Sequence, residues 1–205
     1  DGQRRWWRQT GGRIEGGAAV EGSLVYVGSA DNYVYALDRG TGALAWRFRT
    51  GGDIVSTPTV GEGMVYVASV DRTLYALDAA TGERRWIFEA DGAFASSPAF
   101  AEGRIYVGSD DDCVYALRAR DGRLDWSYAA DDVVRSSPIV WQDLVFFGSD
   151  DAFLYGLDRE TGVLRWRYRT GDAIAAGPAA GEGRLFVGSI DRRVHAFELP
   201  SGEGN

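Results

Sequence analysis

Few side chains in this sequence have the chemistry for catalysis. There is one histidine, His195, and one cysteine, Cys113. The serines that catch the eye are Ser96, Ser97, Ser136 and Ser137, in two Ser-Ser-Pro runs. A serine nucleophile needs a paired base, and these have none beside them. They read instead as groups that satisfy local backbone or line a channel. His195 takes a position filled by Tyr35, Tyr75, Tyr115 and Tyr155 elsewhere in the chain. A place normally held by tyrosine is a packing place, which argues against a histidine-based metal site. Cys113 aligns with Tyr33 and Thr73 and has no basic neighbour to favour its thiolate. A single thiol makes no internal disulfide. The reading is a non-enzyme, with no catalytic residue and no cofactor.

Carboxylates are the other candidates. Asp31, Asp53, Asp71, Asp91, Asp110, Asp111, Asp112, Asp131, Asp132, Asp150, Asp151, Asp172 and Asp191 fall in loops expected on one side of the molecule. Such a face suits a hard cation such as calcium, with Asp111 and Asp151 as the metal candidates, or a basic partner. The competing reading is that aspartate is simply a good turn residue on a solvated rim, and the spacing is not that of an EF-hand. Trp141 stands where Gly61, Ala101 and Gly181 stand in other copies. It is either an exposed contact anchor or a gap filler.

These residues are positioned by a repeat. Pro58, Pro98, Pro138 and Pro178 are 40 apart, as are Trp6, Trp46, Trp86, Trp126 and Trp166, and Asp31, Asp71, Asp111, Asp151 and Asp191. Three residue types in register without an insertion mark a tandem array. Each copy divides into four short runs, the first copy into 14–20, 24–29, 33–38 and 43–49. The middle two (LVYVGS and YVYALD) alternate and are rich in Val and Tyr, as strands are. Polar turns and the pairs Thr41-Gly42 and Gly51-Gly52 separate them. No stretch keeps a 3.6-residue apolar period, so no helix is expected. Four strands per 40 residues is a β-propeller blade. The fold class is therefore all-β, a five-bladed propeller of four-stranded antiparallel blades in one domain, 1–205. The blades cover 14–49, 54–89, 94–129, 134–169 and 174–199 plus 3–9.

The last of these assignments carries the closure of the ring. Residues 1–10 match 41–50, a fourth strand, and Gly202 is in phase with Gly2. An N-terminal strand that completes the last blade would make 20 strands, remove two open sheet edges and favour a monomer. The alternatives are a piece of a larger ring, or an arc completed by partner chains.

Composition bounds the partners. The 22 basic residues are all arginine, and 30 acidic residues give a net charge of −8. That argues against nucleic acid and anionic membrane surfaces. No apolar run approaches the ~18 residues that span a bilayer, so no membrane insertion is expected.

The segment Ala36-Leu37-Asp38-Arg39-Gly40-Thr41-Gly42-Ala43-Leu44-Ala45-Trp46 resembles the tryptophan-docking motif of pyrroloquinoline-quinone (PQQ) type propeller repeats, A-x-D-x-x-T-G-x-x-x-W. Ala76, Asp78, Thr81, Gly82 and Trp86 repeat it in full. The third copy keeps Ala116, Gly122 and Trp126 but has Arg118 for Asp and Asp121 for Thr; the fourth has Gly156 for Ala and keeps Gly162 and Trp166. The resemblance implies that Trp6, Trp46, Trp86, Trp126 and Trp166, with Gly42, Gly82, Gly122 and Gly162, dock neighbouring blades. The family includes eight-bladed quinoprotein dehydrogenases, which hold PQQ and calcium and carry a disulfide between adjacent cysteines. It also includes non-catalytic members such as the outer-membrane assembly lipoprotein and sensor domains of kinases. With one cysteine and repeats of uniform length, this chain departs from the enzymes. The expectation is a non-enzymatic scaffold for a protein or peptide, in the periplasm or secreted. The alternatives are a small-molecule or carbohydrate binder, and an engineered or recently amplified array with no evolved ligand.

Overall fold

The computed structural model describes residues 2–199. They form nineteen strands, and among the described residues there is no helix. The first sheet runs β1 (Ala18–Glu21), β2 (Leu24–Ser29), β3 (Tyr33–Asp38), β4 (Leu44–Arg49). The second is β5 (Thr59–Gly61), β6 (Met64–Ala68), β7 (Thr73–Asp78), β8 (Arg84–Glu89), and the third is β9 (Ala99–Ala101), β10 (Arg104–Gly108), β11 (Cys113–Arg118), β12 (Leu124–Ala129). The fourth is β13 (Ile139–Trp141), β14 (Leu144–Gly148), β15 (Phe153–Asp158), β16 (Leu164–Arg169). The last holds three strands only, β17 (Ala179–Gly181), β18 (Arg184–Ser189) and β19 (Arg193–Glu198). Each sheet is an antiparallel meander in chain order. Five blades and an all-β fold are what the repeat predicts.

Burial follows strand position. The two middle strands form the core: Val65, Tyr66, Val67 and Ala68 of β6 and Leu74, Ala76 and Leu77 of β7 are fully buried. Outer strands β4, β8 and β16 bury neither face fully. The first strands are shorter than the sequence predicts. Runs 54–60 and 93–100 become strand only at Thr59 and Ala99, directly after Pro58 and Pro98. Proline cannot give the ladder a hydrogen bond. The backbone ahead of it instead turns to the preceding blade, where the amides of Ile54, Phe94, Val134 and Ile174 donate to the carbonyls of Ser29, Ser69, Ser109 and Ser149.

Two of the repeated contacts between blades bury side chains. The first is a socket for an indole. Trp46 lies against Gly82, and its Nε1 donates to the carbonyl of Ala79 at 3.0 Å. Trp86 does the same with Gly122 and Ala119, and Trp126 with Gly162 and Arg159. The glycines have positive φ (+74° at Gly82), so the position excludes a side chain on two grounds, backbone and space. Tyr26 and Tyr66, on β2 and β6, send their hydroxyls to the same carbonyls of Ala79 and Ala119. The second contact is apolar. Ile54, Val134 and Ile174, all fully buried, cover Gly28, Gly108 and Gly148. In the second blade Ala68 takes the glycine's place, and the residue that follows is Phe94. Each such burial contributes roughly 1.5–3 kcal/mol.

One expectation is corrected. The N-terminal strand does not complete the last blade. Residues 2–10 form no strand, and the last sheet stays three-stranded. Trp6 is seated on the first blade instead, against Gly42 with its Nε1 on the Arg39 carbonyl at 2.9 Å. Ile14, the counterpart of Ile54, is 49% exposed, and Val194, the counterpart of buried Val34, is 77% exposed. Gly188, the counterpart of Gly28, faces open space. The contact that joins neighbouring blades is therefore not made between the last blade and the first. The phase match between Gly202 and Gly2 involves a residue outside those described.

The D-x-x-T-G turn that carries each socket glycine is held by its aspartate. Asp78 Oδ1 accepts from the amides of Ala80 and Thr81 and the hydroxyl of Thr81, and Asp38 and Asp158 repeat this. Across β7–β8 and β15–β16, Arg85 and Arg165 bond the other oxygen of Asp78 and Asp158. In the third blade the charges are exchanged: Arg118 replaces the aspartate, and Asp125 stands where Arg85 and Arg165 stand. Arg118 Nε reaches Asp125 at 2.7 Å, and Arg104 adds a second bond at 2.9 Å. The degraded motif is thus an inverted ion pair.

Four outcomes follow from these contacts. Gly82→Ala will lower stability by about 2–4 kcal/mol in urea unfolding, because the methyl meets Trp46 at 2.6 Å and the residue keeps positive φ. Gly63→Ala, with the same φ sign but open space around it, will cost about 1 kcal/mol. Asp125→Arg or Arg118→Asp alone will each lower the melting temperature, and the double substitution will recover part of the loss, Arg104 limiting the rest, as a double-mutant cycle reads directly. Asp78 and Asp158 have pKa values held down at about 2 by the bonds from Arg85 and Arg165, with the Thr81 and Thr161 bonds adding to them. Both stabilise the fold fully above the ordinary carboxylate pKa. That stability is lost as pH falls from about 4 toward 2. The melting temperature will fall over this window, and less steeply in Asp78→Asn/Asp158→Asn.

Candidate functional site

The aspartates that recur every 40 residues in the β2–β3 type turns act as clamps. Asp71 Oδ1 accepts from the amide of Thr73 at 2.9 Å. Its Oδ2 accepts from the Gly51 amide and the Tyr75 hydroxyl, both at 2.6 Å. One carboxylate therefore closes its own turn, grips the connection from the preceding blade and caps a buried tyrosine. Asp31 repeats this with Gly11, Tyr33 and Tyr35. Asp111 bonds Asp91, Gly92, Cys113 and Tyr115, and Asp151 bonds Asp131, Phe153 and Tyr155. Burial raises the Asp31 pKa, but bonds from Tyr35, Gly11, Ser29 and Tyr33 outweigh it and hold the carboxyl below its ordinary value. Burial, then the bond to Asp71, pushes the Tyr75 hydroxyl up.

Asp111 and Asp151, the metal candidates, thus lie in separate blades with both oxygens of each accepting from protein donors. Among the described residues no group of three or more His, Cys, Asp or Glu converges on one point. His195 occupies the tyrosine place of the last blade, its Nε2 3.2 Å from Asp191 Oδ2. Cys113 is half-buried, and its thiol pKa is raised, by burial first and then by Asp111. The clamp's tyrosine is the partner that sequence reasoning missed. The signal was present: Tyr35, Tyr75, Tyr115 and Tyr155 each follow an aspartate by four residues.

The same turn face carries one concentration of charge. Arg135 bonds Asp110 at 3.2 Å and Asp150 at 3.0 Å. Burial raises the pKa of Asp150; Arg135 lowers it, while Asp132, Asp110 and Asp151 raise it further. One guanidinium is therefore set among several carboxylates, and the net field there is negative.

The Ser-Ser-Pro serines split into two roles. Ser96 and Ser136 are fully buried, and their hydroxyls accept from the amides of Gly108 and Gly148. The second hydroxyls link blades: the amide of Gly17 donates to Thr57 Oγ1, that of Thr57 to Ser97 Oγ, and that of Ser97 to Ser137 Oγ. The next place is Gly177, which has no hydroxyl. These are backbone partners, with no base poised on them.

Trp141 is half-buried and packs against the core shared by the last two blades, with its Nε1 shielded from solvent. Trp166, the fifth docking residue, lines an apolar cavity of about 560 Å3 with Leu144, Phe146, Leu185 and Phe197. The glycine in phase to meet it, Gly202, lies outside the described residues. Trp7 is 69% exposed.

Comparison with known proteins places this architecture. The family model for the outer membrane protein assembly factor BamB matches residues 1–95 and 89–176. No curated protein sequence matches the chain. Among solved structures, BamB from Moraxella catarrhalis superposes with a TM-score of 0.83 at 21% identity, over 95% of this chain and 61% of that one. The chain thus spans under two thirds of the length of that relative. The match over residues 1–176, with indole sockets and a 40-residue blade, identifies the chain as a member of the BamB-type family of PQQ-like β-propeller repeat proteins.

Proposed function

We propose that this chain is a non-catalytic scaffold that binds protein partners outside the cytoplasm, in the assembly of outer membrane proteins that its family's description names. The family match over residues 1–176 carries this reading. The geometry supports it, because the polar side chains that recur in the repeat are engaged in holding turns and blades together. The rigid turn face is left to act as a surface.

The part of that face best suited to a partner surrounds Arg135. Asp110, Asp132 and Asp150 leave it negative, so it favours a basic segment and gives association that salt weakens. The probe is a fluorescently labelled, unfolded outer-membrane β-barrel protein titrated with the chain. The expected result is saturable binding that weakens roughly tenfold between about 50 and 300 mM salt. Arg135→Glu is expected to tighten binding, and Asp110→Arg with Asp150→Arg to loosen it. Absence of saturable binding to that substrate and to the other purified assembly components rejects the reading.

A further inference from the structure

Three donor side chains gather at the outer, turn-side corner where the third and fourth blades meet, and the fold uses none of them. In the β15–β16 ladder Phe153 pairs with Arg169 and Tyr155 with Arg167, so these four side chains share one face of the fourth blade. Tyr155 packs on Tyr128 of β12 with ring centroids 5.6 Å apart, which turns that face toward the third blade. Arg167 and Arg169 stand over the ring of Phe153, 4.8 and 5.8 Å from its centroid. Both arginines are exposed, while Phe153 and Tyr128 are half-buried. Among the described residues, neither guanidinium has an ion-pair partner and the Tyr128 hydroxyl has no hydrogen bond.

Stacking occupies the flat face of a guanidinium and leaves its N–H edge free. Each arginine therefore keeps its donors while the ring limits where they point. Burial raises the Tyr128 pKa, Arg167 opposes that rise, and Asp131 and Asp151 add to it, so these charges lie within electrostatic reach of the hydroxyl. Asp151 is taken up by the amides of Asp131 and Phe153 and the hydroxyl of Tyr155. Asp131 is left as the competing negative charge. The repeat does not require this set. The same places hold Phe48, Thr73, Ile87 and Glu89 at the first junction, and Phe88, Cys113, Ser127 and Ala129 at the second. The first blade carries one such stack, Arg47 over Tyr33 at 4.7 Å, with a single guanidinium on the ring.

We propose that this corner binds a phosphate group, as free phosphate or as a phosphomonoester. The donors define the class. Two guanidinium forks and a phenol O–H are more than a planar carboxylate can use, since one fork already satisfies it. A tetrahedral phosphate presents at least three oxygens, and its charge of about −1.5 to −2 at neutral pH matches two cations. Two arginines restrained by one ring also lose less freedom on binding than two free ones. The site is independent of the acidic surface around Arg135.

The test is a titration of the chain with sodium phosphate, and in parallel with phenyl phosphate, at constant ionic strength and neutral pH. The arginine Nε–H signals are followed by NMR. The expected result is that the Arg167 and Arg169 signals move together and saturate at millimolar ligand. Those of Arg84 and Arg123, exposed arginines on other parts of the surface, stay in place. Arg167→Gln with Arg169→Gln is expected to weaken binding at least roughly tenfold and to leave the melting temperature without phosphate unchanged. Tyr128→Phe is expected to weaken binding several-fold, and Asp131→Asn to tighten it. Flotation with phosphatidylcholine vesicles containing phosphatidic acid separates the sources. Flotation that needs Arg167 and Arg169 assigns the phosphate to a lipid headgroup, and saturable shifts without flotation assign it to a soluble ligand. Shifts that do not saturate by tens of millimolar phosphate, equal movement of Arg84 and Arg123, or undiminished binding by the double variant would each overturn the proposal.

Discussion

The fold depends on an indole filling a space that only glycine can leave. Gly42, Gly82, Gly122 and Gly162 hold positive φ and present bare backbone to Trp6, Trp46, Trp86 and Trp126. The carbonyl three residues before each glycine takes the indole proton. The carbonyl fixes where the ring sits, and the ring fixes how one blade is turned against the next. The D-x-x-T-G turn serves this arrangement by pinning the glycine through the aspartate, and the third blade keeps the socket with Arg118 and Asp125 in place of that aspartate and its arginine. A tyrosine hydroxyl, from Tyr26, Tyr66 and Tyr106 in turn, bonds the same carbonyl in three of these sockets.

The clamps on the opposite hairpins work by the same economy of groups. Asp71 serves its own turn, the neighbouring blade's connection and Tyr75 through two oxygens. At Asp111 and Asp151, too, both carboxylate oxygens accept from protein donors. The negative field gathers elsewhere, around Arg135, where carboxylates outnumber the cation.

Most of the blade was readable because its signals are local. Alternation in YVYALD, the D-x-x-T-G turn and the 40-residue phase each depend on neighbours in sequence. The tyrosine half of each clamp was also legible, four residues from its aspartate, but a repeated tyrosine reads first as packing. What failed was long-range. Residues 3–9 carry the sequence of an outer strand, and sequence phase alone cannot say whether a strand meets the tail of its own chain. That depends on packing between blades far apart in sequence, and here Trp6 seats on the first blade. The first strands were read too long for a related reason: the run before Pro58 is apolar like a strand, yet its amide at Ile54 belongs to the blade before.

The inter-blade junctions have a consequence for how such a chain changes over evolutionary time. Because Gly28–Ile54, Gly108–Val134 and Gly148–Ile174 present the same fit at intervals of 40 or 80 residues, a recombination event that gains or loses one repeat length leaves the chemistry at every remaining joint nearly the same. Ala68 with Phe94 is the one joint with its own shape, and it marks the second blade as the unit least easily copied to another place.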